Sequence, residues 1–297
     1  MNRHATAHRN NKISQLVILP GYACNFKCAH CGTAGDRRLH LSDKEIRLLH
    51  RTVNDFGFRS VSFAGGEPTL YIDEINRVLS GFAELKKINV SITTNGHFAT
   101  TVAKAAGLLA AIKKLDKVRL SYDRFHKQFL PYAHVRNLYE ACRGSGVDFG
   151  AILTIQSPLD LVLSKELRMA GDFPIGVQKV LPIGKAKSNS VGYAHMEFDA
   201  AVLREMCPNR RKISYLCGRG FSVCDVSISF KEFKKHPERY LRPSAGELLE
   251  SDFYQRMSTM RFAELLKRCG DPEVQFTPAH SSHCVLCEHI FNSGGAV

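Results

Sequence analysis

The 297-residue chain is 44% apolar and carries 41 Lys and Arg against 28 Asp and Glu, a formal net charge of +13. That length and apolar share support one large domain, or one with a small appendage. No apolar run approaches a membrane span, and neither a nucleic-acid-binding signature nor a single tryptophan is present, so neither a membrane nor a nucleic acid is an expected partner.

Residues 1–12 form a basic, polar tail without the apolar core of a signal peptide, so the chain is expected in the cytoplasm. Ten cysteines in a reducing compartment point to metal rather than disulfides. The basic surplus favours an anionic partner, and Arg204 to Arg242 is its densest stretch, with ten Lys and Arg against four Asp and Glu. A solvated face explains that stretch equally well.

From Leu16 onward, short β-branched runs alternate with helical patterns. The first strand is predicted at Leu16–Leu19. A helix follows Ser42, which forms a capping box with Glu45, carries Ile46, Leu49, Val53 and Phe56 at helical spacing, and ends at Gly57. Strand two is Ser60–Phe63, and its helix carries Ile72, Ile75, Leu79, Phe82 and Leu85 on one face. Strand three is Val90–Thr93, followed by a helix through Val102, Ala105, Leu109 and Ile112. Strand four is Val118–Ser121, and its helix runs from about Tyr132 to Arg143 and places Cys142 in the core. Strand five is Phe149–Ile155, then a helix after Pro158 turns Leu163, Leu167 and Ala170 inward. Strand six is Val177–Leu181.

Strand–helix alternation at this spacing predicts a parallel sheet with right-handed crossovers. Six units are too few for a closed eight-stranded barrel, and chemistry is expected at the C-terminal strand ends. The texture changes after Pro182. Phe198–Met206 reads as a short helix, Ile213–Leu216 and Phe221–Ser229 as a hairpin around Cys217 to Gly220, and Leu248–Cys269 as mainly helical. The expected divisions are 1–12, 13–187 and 188–297.

Cys24, Cys28 and Cys31 form a C-x3-C-x2-C loop just after strand one. Three thiols are one ligand short of a closed zinc site or a fully thiolate-bound four-iron cluster, and an open position is where a metal site does chemistry. A structural zinc completed by His30 or His40 is the alternative. Strand two ends in Ala64-Gly65-Gly66-Glu67-Pro68, thirty-four residues past Cys31. Two glycines there allow close backbone approach to a ligand.

Together these motifs resemble the radical S-adenosylmethionine (radical SAM) superfamily. The resemblance implies an α/β fold, a (β/α)6 partial TIM barrel with a small C-terminal α+β iron–sulfur domain. It implies that Cys24, Cys28 and Cys31 hold a [4Fe-4S] cluster whose fourth iron takes SAM, and that His30 packs near the adenine. Gly65, Gly66, Glu67 and Pro68 match the family's motif for the SAM amino group. Thr94, Asn95 and Ser121, at the ends of strands three and four, match its contacts to the SAM carboxylate and ribose, although Asn95-Gly96 is also an ordinary turn pair. Leu181 to Ala186 resembles the segment near the adenine. His126 lies on the same face as a candidate acid–base or substrate-contacting group.

Cys207, Cys224, Cys284 and Cys287 resemble the ligands of a twitch-type auxiliary domain, a shorter relative of the SPASM domain, and would close a second [4Fe-4S] cluster. Cys217 is an alternative to Cys207, and a zinc ribbon is an alternative to the cluster. The implied activity is reductive SAM cleavage to a 5′-deoxyadenosyl radical that abstracts hydrogen from a substrate C–H bond. The expected substrate is a peptide or protein. A sugar or alcohol is the small-molecule alternative, and a non-catalytic iron–sulfur or zinc protein is the third reading. The resemblance also implies a reductase such as flavodoxin or ferredoxin. With twenty-three residues ahead of Cys24, a separate leader-binding protein is an expected partner of a peptide maturase.

Overall fold

The computed structural model describes residues 13–33, 35–225, 233, 235–269 and 274–293. The basic tail 1–12, residues 226–229 of the expected hairpin strand and the last four residues lie outside them. The chain divides into two compact units, one from Val17 to Tyr193 and the other formed by residues up to Leu16 and from Ala194 onward.

The first unit is a partial TIM barrel. Its elements are β1 (Gln15–Leu19), α1 (Asp43–Phe56), β2 (Ser60–Phe63), α2 (Ile72–Ser80), β3 (Asn89–Thr94), α3 (Val102–Ala111), β4 (Lys117–Ser121), α4 (Arg124–Lys127), α5 (Tyr132–Ser145), β5 (Asp148–Ile155), α6 (Leu163–Ala170), β6 (Ile175–Lys179) and α7 (Lys185–Ser188). The strands run in the order β6-β5-β4-β3-β2-β1. From β2 to β6 each neighbouring pair is parallel, with registers such as Phe63 opposite Ile92 and Thr94 opposite Leu120. Burial on both faces explains the run of β-branched and apolar residues. Val61, Phe63, Val90, Ile92, Val118, Leu120 and Leu153 are fully enclosed.

The helices begin and end where local chemistry directs. Ser42 and Glu45 form the expected capping box on α1, and Gly57 closes it in the left-handed region at φ 63°. Gly146, at φ 67°, ends α5. Cys142 on α5 is fully buried. Two elements differ from the sequence reading. Helix α2 stops at Ser80, leaving Phe82 and Leu85 beyond it, because Gly81 passes the His50 ring at a distance where any Cβ would collide, 2.2 Å from the ring. Strand β6 is Ile175–Lys179 rather than Val177–Leu181, since its pairing with β5 already starts at Ala151 opposite Ile175.

The second unit contains β7 (Lys212–Leu216), β8 (Gly220–Ser222), β9 (Leu241–Arg242), α8 (Ala245–Glu250), α9 (Asp252–Thr259), α10 (Phe262–Cys269) and α11 (His283–Ser293). β7, β8 and β9 are antiparallel, with Leu216 opposite Gly220 across the Cys217–Arg219 turn. The helix expected at Phe198–Met206 is a short 3-10 turn, Ala200–Arg204, capped by the Asp199 side chain. The expected helical stretch Leu248–Cys269 is broken at Ser251 and Met260, both extended, with ψ of 142° and 149°. Tyr240, Tyr254, Phe221 and Phe262 fill this unit's core.

Candidate active site

The loop bearing Cys24, Cys28 and Cys31 follows β1 and lies at the C-terminal end of the barrel strands, within the first unit. Backbone hydrogen bonds clamp it to the turn after β2. Gly66 N–H donates to the Gly21 carbonyl at 3.2 Å, and Glu67 N–H to that of Ala23 at 2.8 Å. Thr33 Oγ1 donates to the Gly65 carbonyl at 3.0 Å, and the Ala23 N–H to the Tyr71 hydroxyl oxygen at 2.7 Å.

The two glycines are required by this clamp. A Cβ on Gly66 would stand 2.0 Å from the Ala23 carbonyl oxygen, and Gly65 holds φ 123° with its Cβ direction 2.8 Å from the Gly21 carbonyl. Pro68 opens a 3-10 turn behind them and is buried.

Glu67 is 2% exposed. Its Oε1 accepts from Thr69 N–H (3.2 Å), Thr69 Oγ1 (2.7 Å) and Thr94 Oγ1 (2.6 Å), and its Oε2 from Asn95 N–H (2.8 Å). Burial pushes this carboxyl up from its ordinary range, against the four hydrogen bonds that pull it down. The carboxylate therefore ties the β2 turn to the end of β3. Asn95 continues the tie into the cysteine loop. Its Nδ2 donates to Asn25 Oδ1 at 2.7 Å and lies 3.7 Å from Cys24 Sγ. Burial raises the Cys24 thiol, partly offset by the Phe26 N–H pointing at its sulfur from 3.4 Å.

On the opposite side, Lys185 N–H donates to the Cys31 carbonyl at 3.1 Å, and Asn189 Nδ2 to that of Ala29 at 2.9 Å. Gly184, at φ 53°, lets that segment approach. A Cβ there would stand 3.0 Å from the Cys31 carbonyl oxygen. Leu181 to Ala186 thus lies against Cys31 and Gly32.

Ser121 is half-buried at the end of β4. Two residues on, Asp123 caps α4 with a fully buried carboxylate. Its Oδ1 accepts from the backbone N–H groups of Phe125 and His126, at 2.9 and 3.0 Å. Its Oδ2 is 2.9 Å from His126 Nδ1 and 3.5 Å from His30 Nε2. The ligand atoms of His30, Asp123 and His126 all lie within 4.8 Å of one another.

The two imidazoles sharing this carboxylate are unequal. Burial works against charge on both. For His126, hydrogen bonds to Asp123 and Cys28 outweigh it and push the ring up to about 10, whereas His30 is pulled below its ordinary value. His30 stacks on Phe125 (centroids 4.4 Å apart), and its Nδ1 is buried without a hydrogen-bond partner among the described residues. Asp123, Tyr71, Thr33 and Gly184 were not singled out as site residues from the sequence. An Asp directly before a short helix is a legible N-cap, while the other three reveal themselves only through contacts distant in sequence.

In the second unit, Cys207 precedes β7, Cys224 follows β8, and Cys284 and Cys287 occupy the first turn of α11. Burial, then the charges of Cys207 and Cys224 among others, drive the Cys284 and Cys287 thiols far above their ordinary range. Cys217 is fully buried in the β7–β8 turn.

Residues 18–146 match the family model described as "Radical SAM superfamily". That match spans the barrel from β1 through α5. Curated relatives named "Probable GTP 3',8-cyclase" are 39% identical over 112 residues in Saccharolobus solfataricus, covering 37% of this chain and 34% of the relative, and 36% identical over 124 residues in Sulfurisphaera tokodaii, covering 39% and 36%. The chain thus spans about a third of the length of the curated relatives it matches. Among solved structures, native anSMEcpe with bound AdoMet and Cp18Cys peptide aligns with a TM-score of 0.60 at 16% identity, covering 94% of this chain and 95% of that one. Streptococcus suis SuiB bound to precursor peptide SuiA aligns at 0.52 and 17%, covering 93% and 77%. These structures share the fold. Radical SAM domains use a [4Fe-4S] cluster and SAM, so the partial barrel is matched to these cofactors. None of the helices among the described residues is long and apolar enough to cross a membrane.

Proposed function

We propose that this chain is a radical SAM enzyme that modifies a peptide or protein. The observation that carries the chemistry is the clamp between the cysteine loop and the Gly65–Pro68 turn. In this reading Cys24, Cys28 and Cys31 hold a [4Fe-4S] cluster, and the position left free takes SAM. When bound, the pair supplies one-electron reductive cleavage of SAM to a 5′-deoxyadenosyl radical that removes a hydrogen atom from a C–H bond.

The donor set and its surroundings fit. Three sulfurs leave one iron open. The orphaned, buried Nδ1 of His30 suits a ring that meets a ligand such as adenine, and backbone at Gly65 and Gly66 is bare enough for close approach by the SAM amino group. Glu67 and Thr94 serve by fixing that turn. Asn95 and Ser121 lie at the strand ends where the SAM carboxylate and ribose would rest. Pro68 stiffens the turn.

The four thiols of the second unit fit a second [4Fe-4S] cluster. Four thiolates saturate a cluster and leave no iron open. The division into a radical SAM core and an auxiliary domain follows from that assignment. Peptide as substrate is supported by the likeness, along nearly the whole chain, to two folds whose structures hold peptides. A nucleotide substrate is the second reading, favoured by the relatives named GTP 3',8-cyclase, whose similarity covers about a third of each chain.

Anaerobic reconstitution tests the cofactor content. About eight irons per chain are expected, and about four after replacing either Cys24, Cys28 and Cys31 or Cys207, Cys224, Cys284 and Cys287 by Ala. Four in the intact chain removes the second cluster, and zinc retained there supports the ribbon. For the substrate, the reconstituted protein is given SAM, dithionite and either GTP or synthetic peptides encoded beside its own gene. Faster 5′-deoxyadenosine release with a mass change on the peptide supports the proposal. The same response to GTP alone overturns the peptide reading.

A further inference from the structure

The inner face of the barrel carries an uncompensated cation in the middle of β4. Side chains along a strand alternate between two faces. Val118 and Leu120 are fully buried on the outer one. Leu120 and Leu138 of α5 both come within 3.5 Å of where Gly96 would carry a Cβ, so helix packing covers that face. Arg119, exposed, and Ser121, half-buried, therefore face the barrel interior. Lys117 shares that face one step lower, and its register partner on β5 is Asp148. The register partners of Arg119 are Thr93 on β3 and Gly150 on β5, neither of them an acid. Among the described residues Arg119 makes no ion pair and no side-chain hydrogen bond.

The space beside this guanidinium is unfilled. A Cβ on Gly150 would meet only the Pro174 carbonyl oxygen, at 3.2 Å, and one on Gly176 of β6 only that of Ala151, at 3.9 Å. Gly176 pairs with Ile152, which pairs with Ser121, so both glycines share the inner face with Arg119. The carboxylates at the strand ends, Glu67 and Asp123, are buried and already taken up by donors of their own. A guanidinium stays charged and offers a planar fork of N–H groups that matches a carboxylate. Ser121 stands two residues nearer the candidate SAM site, about 7 Å along the strand.

We propose that Arg119 is a substrate-binding residue whose guanidinium receives a carboxylate of the peptide substrate inside the barrel. This rests on the peptide reading of the function. The pair anchors the peptide below the strand ends, so it selects a C–H bond at a set distance from that carboxylate. No bond is made or broken at Arg119. The carboxylate belongs either to an Asp or Glu side chain or to the peptide's C-terminus, and the test separates the two.

The test uses the reconstituted protein with SAM and fluorescently labelled synthetic peptides encoded beside its gene, with anaerobic anisotropy as the binding readout. Each peptide is made unaltered, C-terminally amidated, and with Asp and Glu replaced by Asn and Gln. In wild type, one neutralised form is expected to bind at least about tenfold more weakly, the size of one charge-assisted hydrogen bond, and which one identifies the carboxylate. Arg119→Met is expected to show a similar loss with the unaltered peptide and no further loss on neutralisation, with Arg119→Lys between. SAM affinity measured without peptide is expected to stay within about twofold. A wild type indifferent to both neutralisations overturns the proposal, and that result does not depend on any variant folding. An Arg119→Met variant that binds all three forms as wild type does overturns it as well. A parallel loss of SAM affinity assigns Arg119 to the SAM carboxylate and also overturns it. A wild type that binds none of the peptides and releases 5′-deoxyadenosine only with GTP overturns the peptide reading itself, and so is distinguished from failure of the Arg119 role alone.

Discussion

Replacing Glu67 by Gln separates two roles that its position in the Gly-Gly-Glu-Pro turn allows. If Glu67 is chiefly a strut, the damage falls on stability. If it chiefly meets the SAM amino group, the damage falls on SAM affinity. The structure gives the first case a magnitude. Four donors converge on a carboxylate that is 2% exposed. Gln keeps one oxygen, which can stay with Thr69 and Thr94, and this turns its amide nitrogen toward the Asn95 N–H. One buried donor is then unpaired, at about 1–3 kcal/mol, and the retained bonds drop from charge-assisted to neutral strength, about 1 kcal/mol each at most. Relief of the burial penalty on the charge offsets part of that. A net loss of about 2–4 kcal/mol follows, and at about 2–4 °C per kcal/mol the melting temperature falls by roughly 5–12 °C. The assay is an anaerobic circular-dichroism melt of cluster-free protein, with calorimetric SAM binding on the reconstituted form. A Gln variant that melts within about 2 °C of wild type yet binds SAM at least tenfold more weakly refutes the strut argument.

Two further predictions concern the barrel. Gly66→Ala drives a Cβ to 2.0 Å from the Ala23 carbonyl oxygen, so the turn must leave the cysteine loop. Destabilisation of about 2–4 kcal/mol and reduced iron loading are expected. Gly107→Ala, within α3 and with nothing within 4 Å of the new Cβ, is the contrast. It should stabilise by about 0.5–1 kcal/mol in a urea melt and leave iron content unchanged. Glu166 gives a pH prediction. Lys127 and the Tyr122 hydroxyl, which donates to it at 2.7 Å, hold its carboxyl below the ordinary glutamate range. A depressed folded-state value means stability that is present above the unfolded value of 4.5 and lost as pH falls through the folded one. Melting temperatures of Glu166→Gln should therefore decline less than wild type on acidification below about pH 4.5, and parallel declines would refute the assignment.

Much of the barrel was legible because its signals are local. Ser42 with Glu45, Gly57, and the β-branched runs of β2 to β5 each state a boundary within a few residues. The cysteine spacing and Gly65–Pro68 are likewise short motifs on strand ends. What stayed hidden depends on distance. The helical pattern runs on past Gly81 to Leu85, and the end of α2 becomes clear only when His50 is seen against Gly81. Gly184 looks like a linker glycine, but its left-handed backbone is what lets the chain pass Cys31 and Gly32. His126 read as a candidate acid–base group because a histidine near a strand end has that prior. Only the folded chain shows its Nδ1 taken up by the Asp123 carboxylate. In the second unit the cysteines are visible as a pattern in the sequence, and the fold buries Cys217 in the hairpin turn.

These contacts also explain why the loop can present its sulfurs in one arrangement. A peptide with the sequence of residues 20–33 has the same cysteine spacing and none of the clamps. In the folded chain, Gly21 and Ala23 are gripped by the turn after β2, and Asn25 by the end of β3 through Asn95. Ala29 and Cys31 are gripped by the segment after β6. The holding residues are 44 to 160 positions away from the residues they hold. Each is itself fixed by a strand end or a cap, so the loop's conformation is set by the barrel rather than by its own sequence. Ordering the loop therefore accompanies folding of the barrel and does not have to be supplied by the incoming cluster. It follows that Glu67→Gln and Gly66→Ala, which touch no sulfur, should weaken cluster retention, whereas Gly107→Ala, remote from every clamp, should leave it intact.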